Sequence, residues 1–380
     1  EMYIPYAAIM SLYQSKNSIS LTHSYSRTYS DSEVLSGSVI TEGDEGCWTI
    51  RDSNKIKSFC VIHAGKRGVG SQQITITIRN HLGQIKICQS ILSALKSYET
   101  VKIYPSDFVK NLVSFLDGKE GSCSIKFILS DSFTRMLVCN ETVDSSELQT
   151  AHSNFNYAIK NPGKVNAKGV ATMLLPSFAT GKEKVLLYCD YAADDYEIKL
   201  DGKKVFSLSD KNRKLLSIDC KKGQEITIST ASGYIPKRFV TGFCSYYKNG
   251  RLPLEVSRGV RHKNVPAKRY WWGPVMQNVN FKTRIVLNPY NKYSEISSDT
   301  CAIFKLFSQG TKEQMTKEYA NFPVNEFMHG VYLNDIFGEG VENFLDGNGG
   351  YFSFFSEFTC FDCLVIFERR DGAVAIEHCF

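Results

Sequence analysis

The sequence predicts an all-β protein built of tandem antiparallel β-sandwich units with few short helices. Three observations carry that expectation: apolar and polar residues alternate over strand-length runs, turn signals recur at short intervals, and one unit of sequence occurs twice. The repeat is the strongest of the three. Val101-Lys102-Ile103-Tyr104-Pro105-Ser106-Asp107-Phe108, followed by Phe115-Leu116-Asp117-Gly118, returns as Gly330-Val331-Tyr332-Leu333-Asn334-Asp335-Ile336, followed by Phe344-Leu345-Asp346-Gly347. Tyr104 and Asp107 are offset from Tyr332 and Asp335 by 228 residues, and Asp117 from Asp346 by 229. Leu137-Val138 and Asp144 meet Leu364-Val365 and Asp371 at an offset of 227, and His152 meets His378 at 226. Two copies of one unit explain most of the architecture.

Taken in order, the strand signals are Phe59-Cys60-Val61-Ile62, Gln73 to Ile78, Ile85-Lys86-Ile87, Ser124 to Leu129 and Glu225 to Ile228. A period of two puts one face in a core and the other in solvent. Asp201-Gly202, between Tyr196–Leu200 and Val205–Leu208, predicts a hairpin, because a type I′ turn needs positive φ at both central residues. Helical periodicity is confined to Pro105–Leu116 and its copy Asn334–Leu345, with Ser106 or Asn334 as the capping residue and Gly338 and Gly340 weakening the second. The chain divides into an N-terminal segment (1–19), a first sandwich repeat (20–155), a middle β-domain (163–250), a connector (251–269) holding Pro253, Gly259 and Pro266, and a second sandwich repeat (270–380).

Composition bounds the function. A hydrophobic fraction of 43% beside 22% charged residues describes a globular chain, and a net charge of +6 over 380 residues does not point to nucleic acid. No apolar run reaches membrane-spanning length, and Pro5 interrupts an N-terminal stretch with no basic region before it, so neither a span nor a signal peptide is expected. Several of the 12 cysteines sit inside apolar strand runs, which reads as buried free thiols in a reducing, cytoplasmic compartment.

The layout of the first unit, with Phe59-Cys60-Val61-Ile62-His63-Ala64-Gly65, then Ile74–Ile78, Ser97–Phe108 and Met136–Asp144, resembles the sensory-rhodopsin transducer family. The resemblance covers the two outer units and implies a small β-sandwich that assembles into oligomers and acts by binding. No functional residue carries over from it.

Linear motifs of catalysis are absent: no Gly-x-Ser-x-Gly elbow, His-Glu-x-x-His, Walker sequence or dinucleotide fingerprint occurs. Cys360-x-x-Cys363 lacks a second half, and its repeat positions, Phe133 and Met136, ask for apolar volume. The loop His63–Ser71 has glycines but no Gly-Lys-Ser/Thr ending, and reads as a hairpin tip. The repeated acids Asp107/Asp335 and Asp117/Asp346 would form a duplicated acid–base pair, but Asp117-Gly118 and Asp346-Gly347 read more simply as turns. Histidine closes three strand-like stretches, at His23, His152 and His378. Convergence of the three would make a metal site. Duplication accounts for them more simply, as equivalent strand ends on separate domains, so neither metal nor other cofactor is expected. The densest functional stretch is aromatic and basic: Arg261, Lys268, Arg269, Tyr270, Trp271 and Trp272. Flat rings stack on sugars while basic groups hold anions, although large aromatics also plug domain seams.

The leading expectation is therefore a non-catalytic binding or accessory protein recognising a saccharide or anionic small ligand through that stretch. A structural protein forming homo-oligomers through sheet edges is the alternative. A third is an enzyme whose inter-domain site has no linear motif.

Overall fold

The computed structural model describes residues 9–24, 26–28, 32, 42–65, 68–128, 132–134, 136–153, 166–168, 171–174, 181–187, 195–208, 215–221, 223–230, 234–236, 240–247, 252–259, 261–262, 270–289, 301–309, 313–357 and 361–380. An N-terminal hairpin comprises β1 (Ile9–Gln14) and β2 (Ile19–Ser24). The first unit runs β3 (Ser26–Thr28), β4 (Glu42–Ile50), β5 (Ile56–His63), β6 (Gln72–Arg79), β7 (Ile85–Leu92), β8 (Thr100–Ile103), α1 (Pro105–Phe108), α2 (Leu112–Leu116), β9 (Gly121–Ile128), β10 (Ser132–Thr134), β11 (Leu137–Thr142) and β12 (Leu148–His152). The middle unit runs β13 (Asn166–Lys168), β14 (Ala171–Leu174), β15 (Gly181–Leu187), β16 (Tyr196–Leu200), β17 (Lys203–Leu208), β18 (Leu216–Cys220), β19 (Glu225–Thr230), β20 (Tyr234–Pro236), β21 (Val240–Tyr247), β22 (Leu254–Gly259) and β23 (Arg261–His262). The third runs β24 (Tyr270–Met276), β25 (Phe281–Pro289), β26 (Ala302–Ser308), β27 (Gln314–Tyr319), α3 (Val324–His329), β28 (Val331–Tyr332), α4 (Leu333–Phe337), α5 (Val341–Leu345), β29 (Gly349–Ser356), β30 (Phe361–Arg369) and β31 (Val374–His378).

The two outer units are the same object. The first pairs sheets β4-β9-β6-β7 and β12-β11-β5-β8, and the third pairs β24-β29-β26-β27 with β31-β30-β25-β28, the same order in equivalent strands. The register is kept too. Leu137 lies between His152 and Val61, and its counterpart Leu364 lies between His378 and Val286. The middle unit pairs a five-stranded sheet, β17-β16-β19-β14-β23, with a four-stranded one, β18-β15-β21-β22.

Sequence and structure differ at three places. Each expected long helix is two short ones. Asn111 takes φ 58° between α1 and α2, and Gly338 takes φ 92° after α4, which ends an α-helix in either case. The N-caps are Tyr104 and Tyr332, so Ser106 and Asn334 fall inside the first turn. The expected connector contributes β22 and β23 to the middle unit, with β22 paired to β21 from Val240↔Gly259 to Ser245↔Leu254. The hairpin Asp201-Gly202 forms with φ of 47° and 79°.

Packing explains the composition of individual strands. Along β30, Phe361, Cys363, Val365 and Phe367 enter the core of the third unit, while Leu364 and Ile366 face the core of the middle unit. Burial of both faces is why that strand shows no alternation. Ile19 and Leu21 of β2 also enter the third unit's core. The opposite face of β2 turns to the first unit. The hydroxyls of Ser18 and Ser20 donate to the carbonyls of Leu148 and Thr150 and accept from their N–H groups, covering the free edge of β12. First and middle units meet over buried Arg51, whose guanidinium reaches Glu120 at 3.1 Å and Glu255 at 2.9 Å. No helix among the described residues is long and apolar enough to cross a membrane.

Candidate functional site

Alternation in β24 sends Trp271 and Val275 inward and leaves Tyr270, Trp272 and Pro274 on the outer face. Antiparallel pairing then sets these beside outer residues of β29 and β26. One row across the sheet reads Tyr270, Phe355, Ile303; the next Trp272, Ser353, Lys305; the third Pro274, Tyr351, Phe307. Tyr270 is 52% exposed, Tyr351 47% and Phe355 38%. The Phe307 and Tyr351 rings stack at 4.6 Å and 12°. The rings of Tyr270, Phe355, Tyr351 and Phe307 thus flank a middle row of half-buried Trp272, buried Ser353 and Lys305.

The expected ligand-facing stretch is divided by this geometry. Tyr270 lies on the outer face. Trp271 is a correction: it is buried in the third unit's core because it occupies the inward phase of β24. Trp272 is half-buried and stacks on Phe380 at 5.0 Å, where Phe380 exchanges backbone hydrogen bonds with it. Arg261 lies in β23, its backbone opposite Thr172, and Lys268 and Arg269 lie outside the described residues. Sequence reasoning missed Tyr351, Phe355, Phe307 and Lys305. The signal was present as Tyr351-Phe352-Ser353-Phe354-Phe355, in which aromatics occupy both phases of a strand.

Other motifs take plain structural roles. Asp117 and Asp346 end α2 and α5 in the left-handed conformation, and Gly118 and Gly347 continue the turns. Lys66, Arg67 and Cys360 lie outside the described residues, while Cys363 is buried. Of the residues that follow Lys66 and Arg67, Val69 is bridged to Leu95. Burial pushes the Cys220 thiol up to about 12 and raises Cys244 and Cys139 as well, which keeps these groups protonated and unreactive.

The three histidines do converge. The expectation that equivalent positions would lie apart fails because the outer units meet at the ends of β12 and β31, with β2 packed on both strands. The Nε2 atoms of His152 and His378 are 3.4 Å apart. His23 stacks edge-on against both rings, at centroid distances of 4.4 and 4.5 Å. Glu377 joins them, with Oε2 3.4 Å from His23 Nδ1 and Oε1 3.7 Å from His378 Nε2. Its carboxylate accepts the backbone N–H groups of His23 and His378, which fixes its orientation. His23, His152 and Glu377 are buried, and His378 is partly exposed.

No protein-family model matches the chain, and none of the curated proteins matches it significantly.

Proposed function

We propose that this chain is a non-catalytic recognition protein whose ligand face is the outer surface of the β24-β29-β26 sheet, and that the ligand is a saccharide, neutral or anionic. One observation carries the reading: the duplicated first unit folds without the rings. At the positions matching Tyr351, Ser353 and Phe355, strand β9 has Ser122, Ser124 and Lys126, and opposite them β6 has Arg79, Thr77 and Thr75 where β26 has Phe307, Lys305 and Ile303. The same sheet order therefore does not require an aromatic outer face. Exposed rings on either side of an ammonium group suit a molecule with apolar C–H faces and polar edges. Lys305, in the middle row, is placed for a carboxylate or sulfate substituent. Buried, protonated thiols accord with a reducing, cytoplasmic setting.

The test is an array of neutral and acidic glycans probed with wild type and with Tyr351→Ala/Phe355→Ala. Wild type is expected to bind a defined set, and the variant to lose about tenfold or more in affinity, since an interfacial aromatic anchor is worth on the order of 1–2 kcal/mol. Absence of wild-type binding across the array sinks the reading.

A separate observation favours a second reading, assembly of identical chains through a sheet edge. Strand β7 is the edge of its sheet and carries Ile85, Ile87 and Ile91 exposed on one face. The ammonium of its one basic residue, Lys86, is turned away, donating to the Lys110 carbonyl at 3.0 Å and lying over the Phe115 ring. Antiparallel pairing of two β7 strands about Gln89 sets Ile87 against Ile91, a self-complementary contact. Light scattering over a concentration series is expected to report a dimer for wild type and a monomer for Ile87→Lys. A wild-type monomer throughout refutes the assembly.

A further inference from the structure

We propose that His23, His152, His378 and Glu377 form a closed, structural site for one divalent ion of the zinc class, which pins the N-terminal hairpin and the two outer units together. The four donors come from three segments distant in sequence, β2, β12 and β31, and one ligand atom of each lies within 4.8 Å of every other. A tetrahedral ion with bonds of about 2.0–2.1 Å sets its ligands about 3.4 Å apart. The separations of 3.4 Å (His152 Nε2 to His378 Nε2), 3.4 Å (Glu377 Oε2 to His23 Nδ1) and 3.7 Å (Glu377 Oε1 to His378 Nε2) lie at or just above that value.

Hydrogen bonding in the outer shell selects the donor atoms. His152 Nδ1 lies 2.9 Å from the Ser153 carbonyl and His378 Nδ1 3.3 Å from the Cys379 carbonyl. A carbonyl only accepts, so both Nδ1 atoms carry protons and both neutral rings turn Nε2 lone pairs inward. Two lone pairs facing each other at 3.4 Å repel unless a cation lies between them. The same arrangement, imidazole held by a carbonyl and carboxylate held by N–H groups, is how proteins orient metal ligands. Three imidazoles and one carboxylate, with no sulfur among them, suit Zn(II) and Co(II) better than Ca(II) or Mg(II). Four protein ligands fill the tetrahedron, so the ion holds structure and has no open position for a reacting water.

Duplication explains why there is one such site. His152 and His378 are equivalent, but Ala151 stands where the second copy has Glu377. The donor set is completed only where the copies meet, and His23 comes from outside both.

The competing occupant is a proton, held as an imidazolium beside Glu377. Metal analysis of untagged protein prepared without chelator separates the two. The expected result is about one zinc per chain, or one equivalent of Zn(II) or Co(II) taken up after chelator treatment, with the Co(II) form showing the intense visible bands of a tetrahedral ion. Chelation is expected to lower Tm and zinc to restore it. Glu377→Gln keeps side-chain volume and is expected to weaken uptake at least tenfold while remaining folded by circular dichroism. Failure of wild type both to contain metal and to take up Zn(II) or Co(II) overturns the site. Undiminished uptake by folded His152→Ala/His378→Ala does so as well.

Discussion

Arg51 shows what one side chain contributes at the seam between the first and middle units. It is buried, and its partners are Glu120, near the start of β9, and Glu255 of β22, which also accepts the Thr49 hydroxyl at 3.0 Å. Removing the cation strands the buried Glu255 carboxylate and leaves the partly buried Glu120 with only Tyr246 and Lys184. Arg51→Met is therefore expected to lower stability by about 3–5 kcal/mol, read by urea denaturation, and a loss under about 1 kcal/mol, the ceiling of an exposed pair, would show that water reaches the seam. The pair also sets a pH dependence. Burial works to raise Glu120, but Arg51, the Tyr246 hydroxyl and Lys184 outweigh it and hold the carboxyl below its ordinary value. A lowered folded-state pKa gives stability that is present above the unfolded value, about 4.3, and lost as pH falls through the folded one. Asp52, raised by burial, has the opposite sign, because its charged form costs stability that protonation returns. Wild type should lose stability below about pH 4, in the Glu120 window, and Arg51→Met should lose less over the same range.

At the scale of elements, the repeated Leu-Asp-Gly extends to a second glycine three residues on, Gly121 and Gly350. A Cβ at Gly121 would lie 2.6 Å from both the Arg79 carbonyl oxygen and Leu116 Cδ2, and one at Gly350 would meet the Phe307 carbonyl and Leu345 Cδ2. Each glycine lets the last leucine of a short helix seat against the strand that follows. Gly121→Ala and Gly350→Ala should each cost about 1–3 kcal/mol by overpacking, seen as a fall in Tm, and an unchanged Tm in either would show that both the leucine and the facing backbone carbonyl can move aside. This element also marks how far sequence carries. Alternation in β6 and the turn at Asp201-Gly202 were legible because period and turn chemistry are local. The break at Asn111 was not, since a positive φ at a non-glycine residue leaves no pattern in the chain. The strands inside the expected connector were hidden behind Pro253 and Gly259, which punctuate there without ending the sheet.

For the whole molecule, the duplication was readable and its consequences were not. Offsets between matched residues give the fold of each copy but not the face on which copies meet, so His152 and His378 read as separate strand ends. The aromatic face was half visible. Tyr270 and Trp272 belong to one linear stretch, whereas Tyr351, Phe355, Phe307 and Lys305 reach it only through non-local strand pairing, and Trp271, expected to face a ligand, takes the inward phase of its strand. The copies also differ at their rims. Strand β7 is apolar on its open side, while its counterpart β27 exposes Gln314, Thr316, Lys317 and Glu318. A body with adhesive chemistry at both rims would add copies without limit and grow into fibres. In the proposed pairing through β7, a charged β27 would limit growth to a single union, so that divergence of the duplicate would act as a stop signal against polymerisation.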